Sequence, residues 1–156
     1  MPDDGKRAGE RRGPSAVRTL AVTADDVVAA VEARRQHGTR VVLRATPPYS
    51  GRMRARLHRP SETAAANSAT PGTGPDPVHV DPTVLVAPDA PAYPRPADTG
   101  DELRADPDVS YTVERHHDRH RAAVAAWREE VREHFVDETT VETPAGDRTV
   151  EVVVLG

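Results

Sequence analysis

The sequence predicts an α+β protein with one mostly antiparallel sheet of about five strands and two helices packed on one face of that sheet. Three observations favour this class. Two segments carry apolar residues at helical spacing, several short segments alternate apolar and polar residues or are rich in valine, and connectors rich in Pro and Gly separate them. The predicted order of elements is α-β-β-β-α-β-β.

Both ends of the first helix are marked in the sequence. Thr23 is placed to cap the N-terminus, with Asp26 three residues on as in a capping box. Gly38 is placed to end the helix, because glycine adopts the left-handed conformation that helix C-termini use. The apolar stripe between these ends consists of Ala24, Val27, Val28 and Val31.

Two alternating segments, 40–45 and 52–58, follow on either side of the sequence PPYSG, which is either a plain turn or a hairpin tip that presents Tyr49 and Ser50 beside the arginines. We predict that they form a β-hairpin with an aliphatic face toward the core. Their other face is almost entirely basic, and we call it the cationic face. Its residues are Arg40, Arg44, Arg52, Arg54, Arg56 and His58.

Four more elements complete the prediction. VHVDPTVLVA is a third strand, in which Pro82 indicates an edge position or an interruption. A long helix is predicted over residues 110–135, and its inward-facing stripe is expected to consist of Val113, His117, His120, Val124, Trp127 and Val131. ETTVET and RTVEVVVLG then form a second hairpin, and the nearly continuous apolar run that ends it predicts a central strand buried on both sides.

Composition sets the domain limits and excludes several functions. We predict a disordered tail over 1–18, a single domain over 19–156 and a disordered loop rich in Pro, Gly, Ser and Thr at about 60–77. The chain has no cysteine, which excludes disulfides and cysteine-based metal sites. No apolar run is long enough to cross a membrane and no signal peptide is visible, so we predict a cytoplasmic protein without a membrane partner.

Residues 1–60 carry 13 Lys or Arg against 6 Asp or Glu, whereas residues 61–156 carry 8 against 19. This asymmetry indicates a polyanionic partner for one end or segments that pair with each other. Lys6 is the single lysine of the chain.

The chain resembles a family of haloarchaeal proteins of unknown function in three segments, TPPYSGRMRARLH, HVDP and VERHHDRHRAAVAAWREEV. The resemblance covers most of residues 19–156 and implies a domain extent and a type of organism, but no activity.

The cationic face supports one functional hypothesis and three alternatives. Guanidinium groups suit phosphate, so the face is a candidate binding site for RNA or DNA phosphates. It could instead be neutralised by cross-strand pairs with Glu138, Glu142 and Glu151 of the second hairpin. A solvated face and an acidic protein partner are the other two interpretations.

A histidine cluster, ERHHDRH, offers a second hypothesis. His116, His117 and His120 have spacings at which helical side chains converge, so zinc or another divalent metal is a candidate cofactor of a metal-binding protein or metal-dependent enzyme. The HExxH motif is absent, and a structural hydrogen-bond network is the alternative interpretation. A scaffold or homodimer without a small ligand is the third hypothesis. No spacing assembles a nucleophile, a base and an oxyanion donor, which favours a binding module over an enzyme.

Overall fold

The computed structural model describes residues 13–38, 40–60, 77–143 and 146–156. Most of the predicted tail and of the predicted loop therefore lies outside the described residues. The chain divides into two compact units, Met1–Val86 with Phe135–Gly156 and Ala87–His134. The α+β class is confirmed. The α-helices are α1 Ala24–His37, α2 Pro96–Ala105 and α3 Val113–Val131, and the strands are β1 Thr19–Thr23, β2 Val42–Ala45, β3 Arg52–Arg54, β4 Arg56–His58, β5 Val78–Val80, β6 Glu138–Thr143 and β7 Gly146–Leu155.

The strands of the first unit form two sheets. The larger sheet has the order β3-β1-β7-β6, in which β1 runs parallel to both β3 and β7, and β6 and β7 form an antiparallel pair. The smaller sheet is antiparallel and has the order β4-β2-β5. Strand number and order thus fit the prediction roughly, while the single predicted sheet is divided in two.

One segment, residues 52–58, belongs to both sheets. β3 pairs with β1 in the larger sheet, whereas β4 pairs with β2 in the smaller one. Ala55 lies between them, is fully buried and donates its N–H to the carbonyl oxygen of Ala21 at 2.9 Å. Of the predicted hairpin, the structure therefore shows the antiparallel pair of β2 and β4, while the first half of the second predicted strand pairs with β1 instead.

Valine, leucine and alanine build the core of the first unit, as the composition requires. Leu20 and Val22 of β1, Leu43 of β2 and Val150 of β7 are all at most 2% exposed. A fully buried aliphatic side chain of this size contributes roughly 1.5–3 kcal/mol through removal from water. A small apolar cavity remains in this core and is lined by Pro14, Val17, Leu20, Ala45, Val78, Val80, Val141 and Val150.

The predicted ends of the first helix are confirmed. The Thr23 hydroxyl accepts the N–H of Asp26 at 3.2 Å, and Gly38 has a φ of 60° while its N–H bonds to Arg34. All four residues of the predicted stripe are buried. Ala30 and Ala33 of α1 pack with Val41 and Leu57, which lie on the aliphatic face of the smaller sheet.

The second unit is built on the packing of α2 against α3. Val124, Trp127 and Val131 of α3 are buried, as the helical spacing predicts. The Trp127 indole N–H donates to the carbonyl oxygen of Pro91 at 3.0 Å, and the ring meets Tyr93 edge-on with centroids 4.8 Å apart. Trp127 is therefore a core residue of this unit.

Several predicted elements differ in detail. β1 was not predicted, and it begins directly at the predicted domain boundary; before it, Pro14–Ala16 forms a 3₁₀ turn and Val17 is buried. The third strand stops at Val80 because Pro82 begins a 3₁₀ turn capped by Asp81. The long helix begins at Val113, which was predicted to face inward but is 77% exposed.

No helix in the described ranges has the length and apolarity needed to cross a bilayer.

Candidate anion-binding surface

The smaller sheet brings four basic side chains together on one side. Arg44 of β2 lies directly opposite Arg56 of β4 and directly opposite His79 of β5. Adjacent strands are about 4.8 Å apart, so the three residues form a short row across the sheet. His58 follows Arg56 on the same side of β4. We call Arg44, Arg56, His58 and His79 the cationic cluster.

The contacts inside the cationic cluster are close. Nη1 of Arg44 lies 3.4 Å from Nε2 of His58, and the rings of His58 and His79 have centroids 5.7 Å apart. Nε of Arg44 is buried and has no hydrogen-bond partner among the described residues. An unpaired buried donor is unfavourable because it loses its hydration without gaining a hydrogen bond. The position of Arg44 therefore lowers the stability of the free protein.

The remaining predicted residues of the cationic face surround the cluster without joining it. Arg52 and Arg54 belong to β3 of the larger sheet, where both are exposed. Arg40 precedes β2 and is also exposed. The charge of Arg40 nevertheless acts on the cluster, since it is one of the causes that lower the pKa of His79. The prediction of one uniform face is therefore replaced by a compact cluster with three arginines beside it.

The alternative interpretation, pairing with glutamates of the second hairpin, is not seen among the described residues. Glu138 and Glu151 lie directly opposite each other across β6 and β7, and Glu142 lies opposite Asp147. Thr19 of β1 separates Glu151 from Arg52, which is two strand spacings or roughly 10 Å. Among the described residues, no ion pair involves any arginine of the cationic face.

Burial and neighbouring charges act together on His79. Partial desolvation of its imidazole lowers the pKa of His79 below the ordinary value, and the positive charges of Arg44, of His58 in its protonated form and of Arg40 lower it further. Asp81, two residues after His79, has other partners: it accepts from Arg34 at 2.8 Å and from the Thr83 hydroxyl at 2.6 Å. The cluster is thus a region of concentrated positive potential with proton donors in excess.

The histidine cluster of α3 has a different environment. Nε2 of His116 lies 2.7 Å from the carbonyl oxygen of Pro96, so it carries the proton, and Nδ1 then accepts from the Tyr111 hydroxyl at 3.0 Å. Nδ1 of His120 bonds to the Thr99 hydroxyl at 3.1 Å. His117, which was expected to face inward with His120, is exposed instead.

These contacts favour the structural interpretation of the histidine cluster. Both ring nitrogens of His116 are used within the second unit, and His117 lies on another side of the helix. Within residues 13–38, 40–60, 77–143 and 146–156, no three or more His, Asp or Glu side chains are grouped so as to hold a metal ion. The geometry gives metal binding no support.

The sequence prediction differs from the structure at two residues of this region: it allowed Tyr49 an exposed position at the hairpin tip, and it did not include His79 in the cationic face. Tyr49, considered as a hairpin-tip residue beside the arginines, is 3% exposed and lies 3.5 Å from the carbonyl oxygen of Ala45 through its hydroxyl. His79 lies between the buried Val78 and Val80, so the alternation of the sequence predicts that its side chain faces outward. Its position beside Arg44 depends on strand register, which the sequence does not specify.

Fold and surface together define a small α+β protein with a compact cationic cluster on an antiparallel sheet. The chain belongs to the family described as Domain of unknown function (DUF8009), whose model matches residues 7–156. No curated protein matches the chain, and no solved structure matches it.

Proposed function

We propose that this protein is a binding module that contacts the phosphate backbone of nucleic acid through the cationic cluster and the flanking Arg40, Arg52 and Arg54. The observation that carries the proposal is the direct opposition of Arg44 and Arg56 beside two histidines, without an ion pair to any described carboxylate. Like charges placed directly opposite on a sheet are destabilising. A phosphate between them would turn this repulsion into attraction.

The chemistry of the cluster supports phosphate more than other ligands. Arginine presents several N–H donors in a fixed fork that matches phosphate oxygens. The described groups of the cluster donate in excess of what they accept, and exposed Arg52 and Arg54 carry further positive charge on β3, which directly precedes β4 in the chain. An extended row of this kind suits successive phosphates of a polyanion.

The surroundings favour contact with the backbone over contact with bases. Binding of single strands commonly relies on aromatic side chains on which bases stack. Tyr49 is buried and cannot serve in this way. We therefore propose binding directed by phosphate position and duplex shape, with little sequence preference.

The haloarchaeal origin and the cytoplasmic location suggested by the sequence are part of the same proposal, and they set the salt range of its test. Affinity for duplex RNA and duplex DNA is measured by fluorescence anisotropy over a series of salt concentrations. Phosphate contacts make log K fall linearly with log salt concentration. We expect the R52A/R54A/R56A variant to bind more weakly and to lose about one unit of salt slope for each phosphate contact removed.

A variant that removes three exposed arginines elsewhere, R35A/R95A/R121A, is the matched control, because it changes net charge equally. We expect the control to retain most of the affinity. Equal losses in both variants would indicate unspecific attraction by total charge. Absence of binding by the unaltered protein at low salt would refute the proposed function.

A further inference from the structure

Arg44 and His58 are in direct contact, and the nature of this contact depends on which ring nitrogen of His58 carries a proton. A guanidinium group only donates hydrogen bonds, so Nε2 of His58, 3.4 Å from Nη1 of Arg44, must act as the acceptor in this contact. The contact is therefore a hydrogen bond only when this nitrogen carries no proton. His79 lies across from Arg44 on the other neighbouring strand, with its ring 5.7 Å from that of His58.

We propose that Arg44, His58 and His79 form a subsite for one phosphate group, and that the two histidines take up protons when the phosphate binds. The proposal rests on the function proposed above and adds the place and the proton linkage of one contact. Its consequence is that affinity for nucleic acid rises as pH falls.

The reason lies in the donor balance of the subsite. Without an anion, a proton on Nε2 of His58 would point at the N–H groups of Arg44, which is repulsive. With a phosphate oxygen between the two side chains, that same proton becomes a hydrogen-bond donor to the ligand. The phosphate therefore favours the charged form of each imidazole, and by linkage the charged imidazoles favour the phosphate.

The charged groups around the subsite act in the same direction. Arg44 on β2, Arg56 on β4 and Arg40 before β2 are all positive and oppose protonation in the free protein. This agrees with the lowered pKa of His79, whose first cause is burial and whose second is the charge of Arg44.

Two carboxylates on neighbouring elements are already engaged. From α1, which packs against β4, Asp26 accepts the backbone N–H of Leu57 at 3.2 Å. Beyond β5, Asp81 is held by Arg34 at 2.8 Å. The bound phosphate would thus supply the negative charge that these side chains do not provide.

Two measurements on the full chain test the proposal. The first follows the histidine ring protons by NMR as pH is changed between about 8 and 5, with and without inorganic phosphate at constant ionic strength. We expect phosphate to raise the pKa of His58 and His79 and to leave the exposed His37 and His117 unchanged.

The second measures affinity for the duplex RNA over the same pH range. We expect affinity to increase about tenfold toward low pH for each histidine whose pKa rises by one unit on binding. In H58Q/H79Q, which keeps polar side chains but removes both titrations, this pH dependence should disappear while binding at high pH persists. H37Q/H117Q is the matched control and should behave like the unaltered protein.

The outcomes separate this inference from the proposed function. RNA binding that depends on the arginines but not on pH, or a pH dependence that survives in H58Q/H79Q, would overturn the inference alone. If inorganic phosphate raises both pKa values and RNA does not bind at any pH, the subsite stands as a site for free phosphate and the proposed function fails. Absence of both effects overturns both proposals.

Discussion

At the scale of single residues, Arg44 occupies the least favourable position for a positive charge in the cationic cluster. It lies between Arg56 and His79 on the neighbouring strands, and its Nε is buried without a described partner. Such a position makes a small contribution to folding or opposes it, because a buried unpaired donor loses its hydration without replacement. Retaining an arginine here is understandable when a ligand supplies the missing acceptor.

We therefore predict that R44M stabilises the free protein while weakening its binding of RNA. Methionine fills the space of the arginine side chain as far as the position of Nε and removes the unpaired donor, so the free energy of unfolding should rise by about 1 kcal/mol in phosphate-free buffer at low salt. Urea denaturation measures this change. R56M is the control: Arg56 is exposed, so its substitution should change stability much less. A free energy of unfolding that falls in R44M, or that rises equally in R44M and R56M, would contradict the prediction.

Residue patterns predicted the exposure of the cationic face but not its neighbours. Alternation along 52–58 correctly indicated that Arg52, Arg54 and Arg56 face outward, because side-chain direction in a strand follows from sequence position alone. Which side chains lie opposite depends on strand pairing. Glu138 and Glu151 were candidates for pairing with arginine, yet register places them opposite each other.

At the scale of elements, Gly100 of α2 lies directly against the His116 side chain of α3. A Cβ at this position would lie 3.0 Å from Cε1 and 3.2 Å from Nε2 of His116, and 3.4 Å from Nη1 of Arg104. His116 has little freedom to move away, because its two ring nitrogens are bonded to Pro96 and Tyr111. The small residue allows the helix and the imidazole to approach this closely.

We predict opposite effects of G100A in two backgrounds. Alanine is favoured over glycine in a helix interior by about 1 kcal/mol, but in the unaltered chain it must displace His116 and break its bond to Pro96. G100A should therefore destabilise the unaltered protein and stabilise H116A, as measured by thermal unfolding. The double-mutant cycle isolates the coupling of the two residues. The same stabilisation in both backgrounds would show that His116 moves freely.

Elements with local signals were predictable, and those defined by distant partners were not. The caps of α1 and the turn-separated strands β6 and β7 follow from residues close in sequence. β1 has a short apolar sequence, TLAVT, and its identity depends on parallel pairing with β3 and β7. The change of sheet at Ala55 likewise depends on the carbonyl of Ala21, which no local pattern indicates.

At the scale of the whole molecule, the first and last residues of the second unit, Ala87 and His134, are in contact although they are far apart in sequence. Within that unit, the N–H of Ala87 donates to the carbonyl oxygen of His134 at 2.7 Å. Within the first unit, Val86 and Phe135 form an antiparallel bridge, and the N–H of Val136 donates to Leu85 at 2.9 Å. In sequence, residues 87–134 are thus an insertion in the first unit, and the two segments of the first unit that flank the insertion pair with each other at Val86 and Phe135.

We predict that the described parts of residues 19–156 nevertheless unfold as one cooperative domain. A helical pair of the size of 87–134 buries too little apolar surface to be stable alone. Trp127, the single tryptophan of the chain, is buried in the second unit and reports its unfolding by fluorescence. Amide hydrogen exchange of β1 and β7 in increasing denaturant reports the first unit.

Coincident transitions by the two probes are the expected result, because a cooperative domain gives the same midpoint by every probe. The control is W127F, which should shift both transitions together: it removes the indole N–H that donates to Pro91 and should lower the free energy of unfolding by about 1 kcal/mol. Since W127F lacks the fluorophore, its second unit is followed by exchange of the α3 amides. If Trp127 fluorescence changes at a lower denaturant concentration than exchange in β1 and β7, or if W127F shifts the α3 amides alone, the two units unfold separately and the prediction of a single domain is wrong.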